Sequence, residues 1–164
     1  MKRYLPLFLL SLFGLFVMSC DNTDSRDDGQ DYDTYPVMTD VSGSFSSSND
    51  YSLTQGIQIA QSDVVLVYRN TATSGSAVWQ LIPKTEYLSD GRELDYNFLF
   101  DSSLVEIYTE ANFDQNTMSS AEKAQYLNSQ QFRIVLVPAS KAAEVDTSNY
   151  QEVMRVLGPR ELAP

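Results

Sequence analysis

Three carboxylates come first among the residues that could do chemistry. Asp95 falls on the polar side of an alternating stretch whose other side carries Leu94, Tyr96, Phe98 and Phe100, and Glu106 and Glu110 lie in or just after the next such stretch. If the two stretches pair as strands, a carboxylate couple of the glycosidase kind forms, one group protonating a leaving oxygen and the other activating water or attacking. The plainer reading makes them solvent-facing positions on half-buried strands, and alternation favours it. Arg69 and Arg133 sit at or within very apolar strands, where a guanidinium needs a carboxylate partner. A structural ion pair with Asp63, Asp95 or Glu106 is expected, with an anion site as the alternative.

Other chemistries are excluded by composition. The chain has no histidine and one cysteine, which removes Ser–His–Asp and Cys–His catalysis and His- or Cys-ligated metal, haem and iron–sulfur sites. None of its seven glycines belongs to a phosphate-cradling G-x-G-x-x-G or G-x-x-x-x-G-K pattern. No cofactor is therefore expected, and no enzyme activity beyond the carboxylate alternative, a small glycoside hydrolase.

The one cysteine has an address of its own. Lys2 and Arg3 precede an apolar run from Tyr4 to Met18, and the run ends in Val17-Met18-Ser19-Cys20. The run is short for a membrane span, which takes about 20 apolar residues, and suits a secretory signal. An aliphatic residue three places before the cysteine and a small one just before it resemble the bacterial lipobox. That resemblance implies a diacylglyceryl group on the Cys20 thiol and cleavage between Ser19 and Cys20. Two or three acyl chains, at about 0.8 kcal/mol per buried CH₂, make such an anchor effectively permanent.

Cleavage there removes Lys2 and Arg3 and takes the formal charge from −11 to −13. Such a balance repels phosphate backbones and anionic headgroups, so no nucleic-acid partner is expected. Six aspartates between Asp21 and Tyr35, with no aliphatic residue, read as a solvated tether. A calcium loop is the sharper alternative. Asp24, Asp28 and Gly29 would fill its positions one, five and six, but Arg26 falls at position three and Tyr35 at position twelve, where oxygen ligands are required.

From Pro36 onward the pattern is mainly strand. Val37, Thr39, Val41 and Phe45, with Gly43 in register, alternate with Met38, Asp40, Ser42 and Ser44, and Tyr51, Leu53, Ile57 and Ile59 share one face of a second strand. Val64–Tyr68, opened by Asp63, is apolar on both faces and reads as central. Val78–Ile82 stops at Pro83; Asp90-Gly91 makes a hairpin turn; Leu94–Phe100, Leu104–Tyr108 and Phe132–Val137 follow. Ser119-x-x-Glu122 is a capping box for one short helix. Tyr150, Val153, Met154 and Leu157 mark a second, with Asp146, Thr147 and Ser148 as cap candidates and Gly158-Pro159 as its stop. About seven strands between turn signals predict a single antiparallel β-sandwich with one or two short helices near the C-terminus. The expected divisions are residues 1–19 as signal, 20–35 as lipidated cysteine and tether, 36–158 as the sandwich, and 159–164 as tail.

Aromatics offer one more possibility. Nine tyrosines and Trp79 lie beyond the signal, and exposed rings on a β-sandwich can stack on sugars. Tyr68, Tyr96 and Tyr108 lie inside strand patterns, where half-buried packing with the hydroxyl outward is the expectation, and Trp79, between Val78 and Leu81, reads as core.

The stretches Ser62–Arg69, Val78–Pro83, Leu94–Phe98, Phe132–Ala139 and Asp146–Met154 resemble, in the same order, small secreted lipoproteins of Bacteroidota, a group without an assigned activity. The acidic stretch after Cys20 is similar to the surface-export signal of such proteins. The resemblance implies an exported domain, lipid-anchored to the outer membrane and displayed on the cell surface, with the periplasmic face as the alternative. The leading expectation is a non-enzymatic interaction or envelope-structural module with an unknown protein or glycan partner. A carbohydrate-binding accessory lipoprotein stands second and the small hydrolase third.

Overall fold

The computed structural model describes residues 37–59, 63–158 and 160–161, the last two by their backbone alone. Cys20, the lipobox and the acidic stretch from Asp21 to Tyr35 lie outside the described residues.

The domain is a β-sandwich. Sheet A contains β1 (Val37–Gly43), β3 (Val64–Asn70), β4 (Trp79–Leu81), β8 (Gln130–Val137) and β9 (Arg160–Glu161), in the order β4-β3-β8-β1-β9. Sheet B contains β2 (Ser52–Gly56), β5 (Lys84–Tyr87), β6 (Glu93–Phe100) and β7 (Leu104–Ala111), in the order β2-β7-β6-β5. All pairings are antiparallel except the two-residue contact of β9 with the start of β1. The chain changes sheet after β1, β2, β4 and β7, makes hairpins at β3–β4, β5–β6 and β6–β7, and passes through helices between β8 and β9.

Alternation decides what faces the core. Val65 and Val67 of β3 and Phe132, Ile134 and Leu136 of β8 meet Leu94, Tyr96, Val105 and Ile107 of sheet B in one buried cluster. Full burial of such side chains contributes roughly 1.5–3 kcal/mol each. Gly43 is the last inward position of β1, and a Cβ there would lie 2.5 Å from Leu53 Cδ2; Leu53 of β2 occupies the space a larger residue would need.

The opposite face of sheet A is covered as well. Leu66, Tyr68, Val135 and Val137 form a second cluster with Val153, and Tyr150, Met154 and Leu157 pack against it. These come from α3 (Tyr150–Leu157), which follows α2 (Ala139–Ala142). The helix starts where Tyr150 meets Tyr68 at 5.1 Å and Trp79 at 5.9 Å between ring centroids. It ends at Gly158, left-handed at φ 51, as only a residue without a Cβ adopts freely. Burial on both faces is why β3 and β8 read as continuous apolar text. Among the described residues the outer face of sheet B has no such layer.

Several expectations are revised. Among the described residues eight antiparallel strands are present against about seven, because Pro83 is not the end of the β-structure there. The cis Ile82–Pro83 bond lies where the chain leaves sheet A for β5 in sheet B, a polar edge strand with little apolar signal. The helix cap is Asn149, whose side chain accepts from the Glu152 N–H at 3.2 Å, and not Asp146, Thr147 or Ser148. Tyr68 and Tyr96 are fully buried, and their hydroxyls donate to the carbonyls of Thr147 and Tyr126 instead of facing outward. Trp79 packs between sheet A and α3 and not in the sandwich core. Within the stretch read as tail, Arg160–Glu161 join β1.

Candidate functional site

Arg69 is the last inward residue of β3, and the side chain it carries into the sandwich is 8% exposed. Its partner is Glu86 on β5 of the facing sheet, with Nη1 at 2.9 Å from Oε1. Nε donates to Gln130 Oε1 at 2.9 Å and Nη2 to the Gln125 carbonyl at 3.4 Å, while the guanidinium carbon lies 4.1 Å from the centre of the Tyr96 ring. Gln130 is itself fixed, its Nε2 donating to the carbonyls of Gln125 and Asn128. Each of the three guanidinium nitrogens therefore meets an acceptor and the flat face of the group meets a π ring, as a desolvated charge requires.

These residues form the floor of an open cleft of about 760 Å³. One wall is the end of β3 and β4, where Gln80 stands directly across the ladder from Arg69. A second is β5 with Glu86. The third is the stretch after β7 that contains α1 (Ser120–Glu122) and the wider turn Lys123–Leu127. The predicted capping box is present: Ser119 Oγ accepts from the Glu122 N–H at 3.3 Å, and the Glu122 carboxylate accepts from the Ser119 N–H at 2.8 Å. Arg92 at 2.5 Å from Glu122 and the Phe45 N–H donating to the Leu127 carbonyl at 2.9 Å tie this wall to both sheets.

The lining is polar. It holds six carboxamides, among them Gln80, Gln125, Asn128 and Gln131, and among the described residues its only charged groups are Arg69 and Glu86. Burial pushes the Tyr96 hydroxyl above its ordinary value, with the Arg69 charge over its ring pulling the other way.

Arg133 faces the opposite side of sheet A. It forms a two-point ion pair with Asp40, its direct partner across β1 and β8, with both nitrogen–oxygen distances 2.7 Å. It lies over Trp79 at 4.5 Å and donates to the Tyr150 hydroxyl. Both arginines have the expected carboxylates, but the partners are Glu86 and Asp40. Asp95 and Glu106 are on the outer face of sheet B, and Asp63 stands at the other end of β3 from Arg69. Sequence alternation does place Arg69 with Val65 and Val67, and Gln130 with Phe132 and Ile134, on the inner face. That is the signal by which Gln130 could have been found; Glu86, in a short polar strand, has none.

Asp95 and Glu110 are directly opposite one another on β6 and β7. They stand on the open outer face of sheet B, Asp95 accepting from the Thr85 hydroxyl at 2.5 Å and Glu110 from Asn97 at 3.4 Å. Glu106 accepts from Ser52 at 2.5 Å. Among the described residues no wall stands over these carboxylates to exclude water from a reacting bond. Tyr108 is half-buried on the same face, and among the described residues Tyr87 is the only exposed tyrosine or tryptophan, so no flat aromatic row forms there. Among the described residues no cluster of three or more potential metal ligands occurs, and no helix is long and apolar enough to cross a membrane. The chain matches no protein-family model, no curated protein and no solved structure.

Proposed function

We propose that the protein is a lipid-anchored outer-surface module, non-enzymatic, that holds a binding cleft away from the membrane. The observation that carries this reading is the placement of the cleft relative to the start of β1. Val37 pairs with Leu136 at one end of β8, whereas Gly43 pairs with Gln130, part of the cleft floor, at the other. Six strand steps at about 3.3 Å separate the two by roughly 20 Å. A chain anchored through Cys20 reaches the domain at Val37, so the cleft lies at the end of the sheet opposite the point of attachment. Asp21–Pro36, a polar linker in this reading, spans at most about 55 Å when extended.

Growing cells with a clickable fatty acid tests the anchor. The wild-type protein should carry the label and Cys20→Ala should not; equal labelling of the two removes the anchored reading. Proteolysis of intact cells tests the address. Degradation of the domain is expected, and full protection until the outer membrane is opened would assign it to the periplasmic face.

A further inference from the structure

We propose that the cleft at Arg69 and Glu86 binds a neutral, hydroxyl-rich ligand, a segment of an uncharged oligosaccharide. The proposal rests on the reading of the protein as an interaction module and adds the ligand class.

Charge narrows the choice first. Among the described residues Arg69 and Glu86 are the only charged ones lining the cleft, and they neutralise one another at 2.9 Å. An anionic ligand would have to compete with Glu86 for Arg69 against a chain of net charge −11, and a cationic one would find no free carboxylate in the lining. Apolar ligands fit no better. Small-molecule sites of about 300–1,000 Å³ are mostly lined by apolar side chains, but here alanines and the Tyr126 ring are the apolar contribution to a lining of six carboxamides. An apolar occupant would strand those donors and acceptors, and losing their water without replacement is costly.

A carboxamide offers two donors and an acceptor, and a sugar hydroxyl both donates and accepts. Adjacent hydroxyls on a ring thus match adjacent amides in either direction. Asn70 and Gln131 hold each other at 2.9 Å and Gln130 is saturated by Arg69 and two carbonyls, which gives the surface a fixed shape. Gln80 and Asn128, both exposed at the mouth, provide the reaching groups. An extended peptide is the competing occupant, because β4 and β5 are the sheet edges beside the cleft among the described residues. They run only three and four residues, too short to supply the main-chain ladder by which a peptide gains affinity.

The test uses the full protein in detergent against an array of neutral oligosaccharides (glucans, mannans, galactans, xylans), with sulfated and sialylated glycans and a random extended-peptide library alongside. Retention of at least one neutral glycan is expected. Gln80→Ala and Asn128→Ala should each weaken it by tenfold or more with unchanged melting temperature, since neither side chain supports the fold. A blank neutral array, binding indifferent to both substitutions, or preference for acidic glycans or peptides overturns the proposal. Hydrolysis of the bound glycan would overturn the non-enzymatic reading and leave the ligand class standing. Loss of the fatty-acid label alone removes the anchor and leaves the cleft.

Discussion

Glu86 accepts from Arg69 across the gap between the two sheets, with Nη1 and Oε1 2.9 Å apart, so a single ion pair joins β3 to β5 at the floor of the cleft. Removing one member leaves a buried charge without its counter-charge, which costs about 3–5 kcal/mol. Glu86 retains a quarter of its side-chain exposure, so Glu86→Leu is expected near the lower figure, ~3 kcal/mol. The double variant Arg69→Leu with Glu86→Leu should lose less than the two single changes added together. Denaturant unfolding of the four proteins checks this, and strict additivity would mean the pair is not coupled.

The buried tyrosines set an alkaline limit. Burial raises the hydroxyls of both Tyr68 and Tyr96 above the ordinary tyrosine value, so the folded state keeps protons the unfolded chain releases near pH 10. Their contribution to stability is complete below that pH and falls as pH rises toward the folded values. Unfolding midpoints should therefore decline from pH 9.5 upward, and Tyr96→Phe, weaker at neutral pH for want of the bond to the Tyr126 carbonyl, should decline less. Absorbance at 295 nm is the second readout: two tyrosines should ionise only together with unfolding. Reversible titration of all tyrosines in the folded state would contradict it.

Arg133 clamps the helical layer. It connects Asp40 on β1, the Trp79 ring and the Tyr150 hydroxyl, and the hydrogen bonds it donates to Asp40 raise its own pKa. Asp40 is 53% exposed, so Asp40→Ala should cost only about 1 kcal/mol. Tyr150→Ala also removes ring contacts with Tyr68 and Trp79 and should cost more, about 2 kcal/mol for a half-buried ring. Hydrogen exchange should show α3 opening in the second variant while the β6–β7 ladder stays protected. Equal exchange along the whole domain would show that the helix is not a separable layer.

The strands most legible in the sequence were those whose physics is local. Alternation in Leu94–Phe100 and the double-faced apolar text of Val64–Tyr68 depend on burial alone and were readable. The same apolar text on β8 implied that something covers the outer face of sheet A, but the coverer, α3, lies some twenty residues on and shares no local pattern with it. β5 escaped because Lys84–Tyr87 is a polar edge strand. The cleft was illegible for the same reason: Arg69, Glu86 and Gln130 are far apart in the chain, and only the pairing of whole strands brings them together. The arginines did announce that carboxylates must be near. Which carboxylates depends on which face of which sheet each strand presents.

The third wall of the cleft depends on acid-sensitive groups. The Arg92 guanidinium hydrogen-bonded to Glu122, aided by the Ser119 N–H and hydroxyl, holds that carboxyl down at about 2. A carboxyl whose folded value lies below its unfolded one, near 4.3, contributes stability that is present above the unfolded value and lost as pH falls toward the folded one. Wild-type stability should thus drop between pH 5 and pH 2 more steeply than that of Glu122→Gln, which has no charge to lose, and the two curves should converge at the acid end. Because Glu122 caps the turn that carries Gln125, Tyr126 and Asn128, the loss should begin locally. Amide exchange of residues 120–128 should quicken in acid before the sheets open. Parallel acid limbs for the two proteins, or simultaneous opening of wall and sheets, would place the acid-sensitive group elsewhere and leave the wall held by the Tyr96 and Phe45 hydrogen bonds alone.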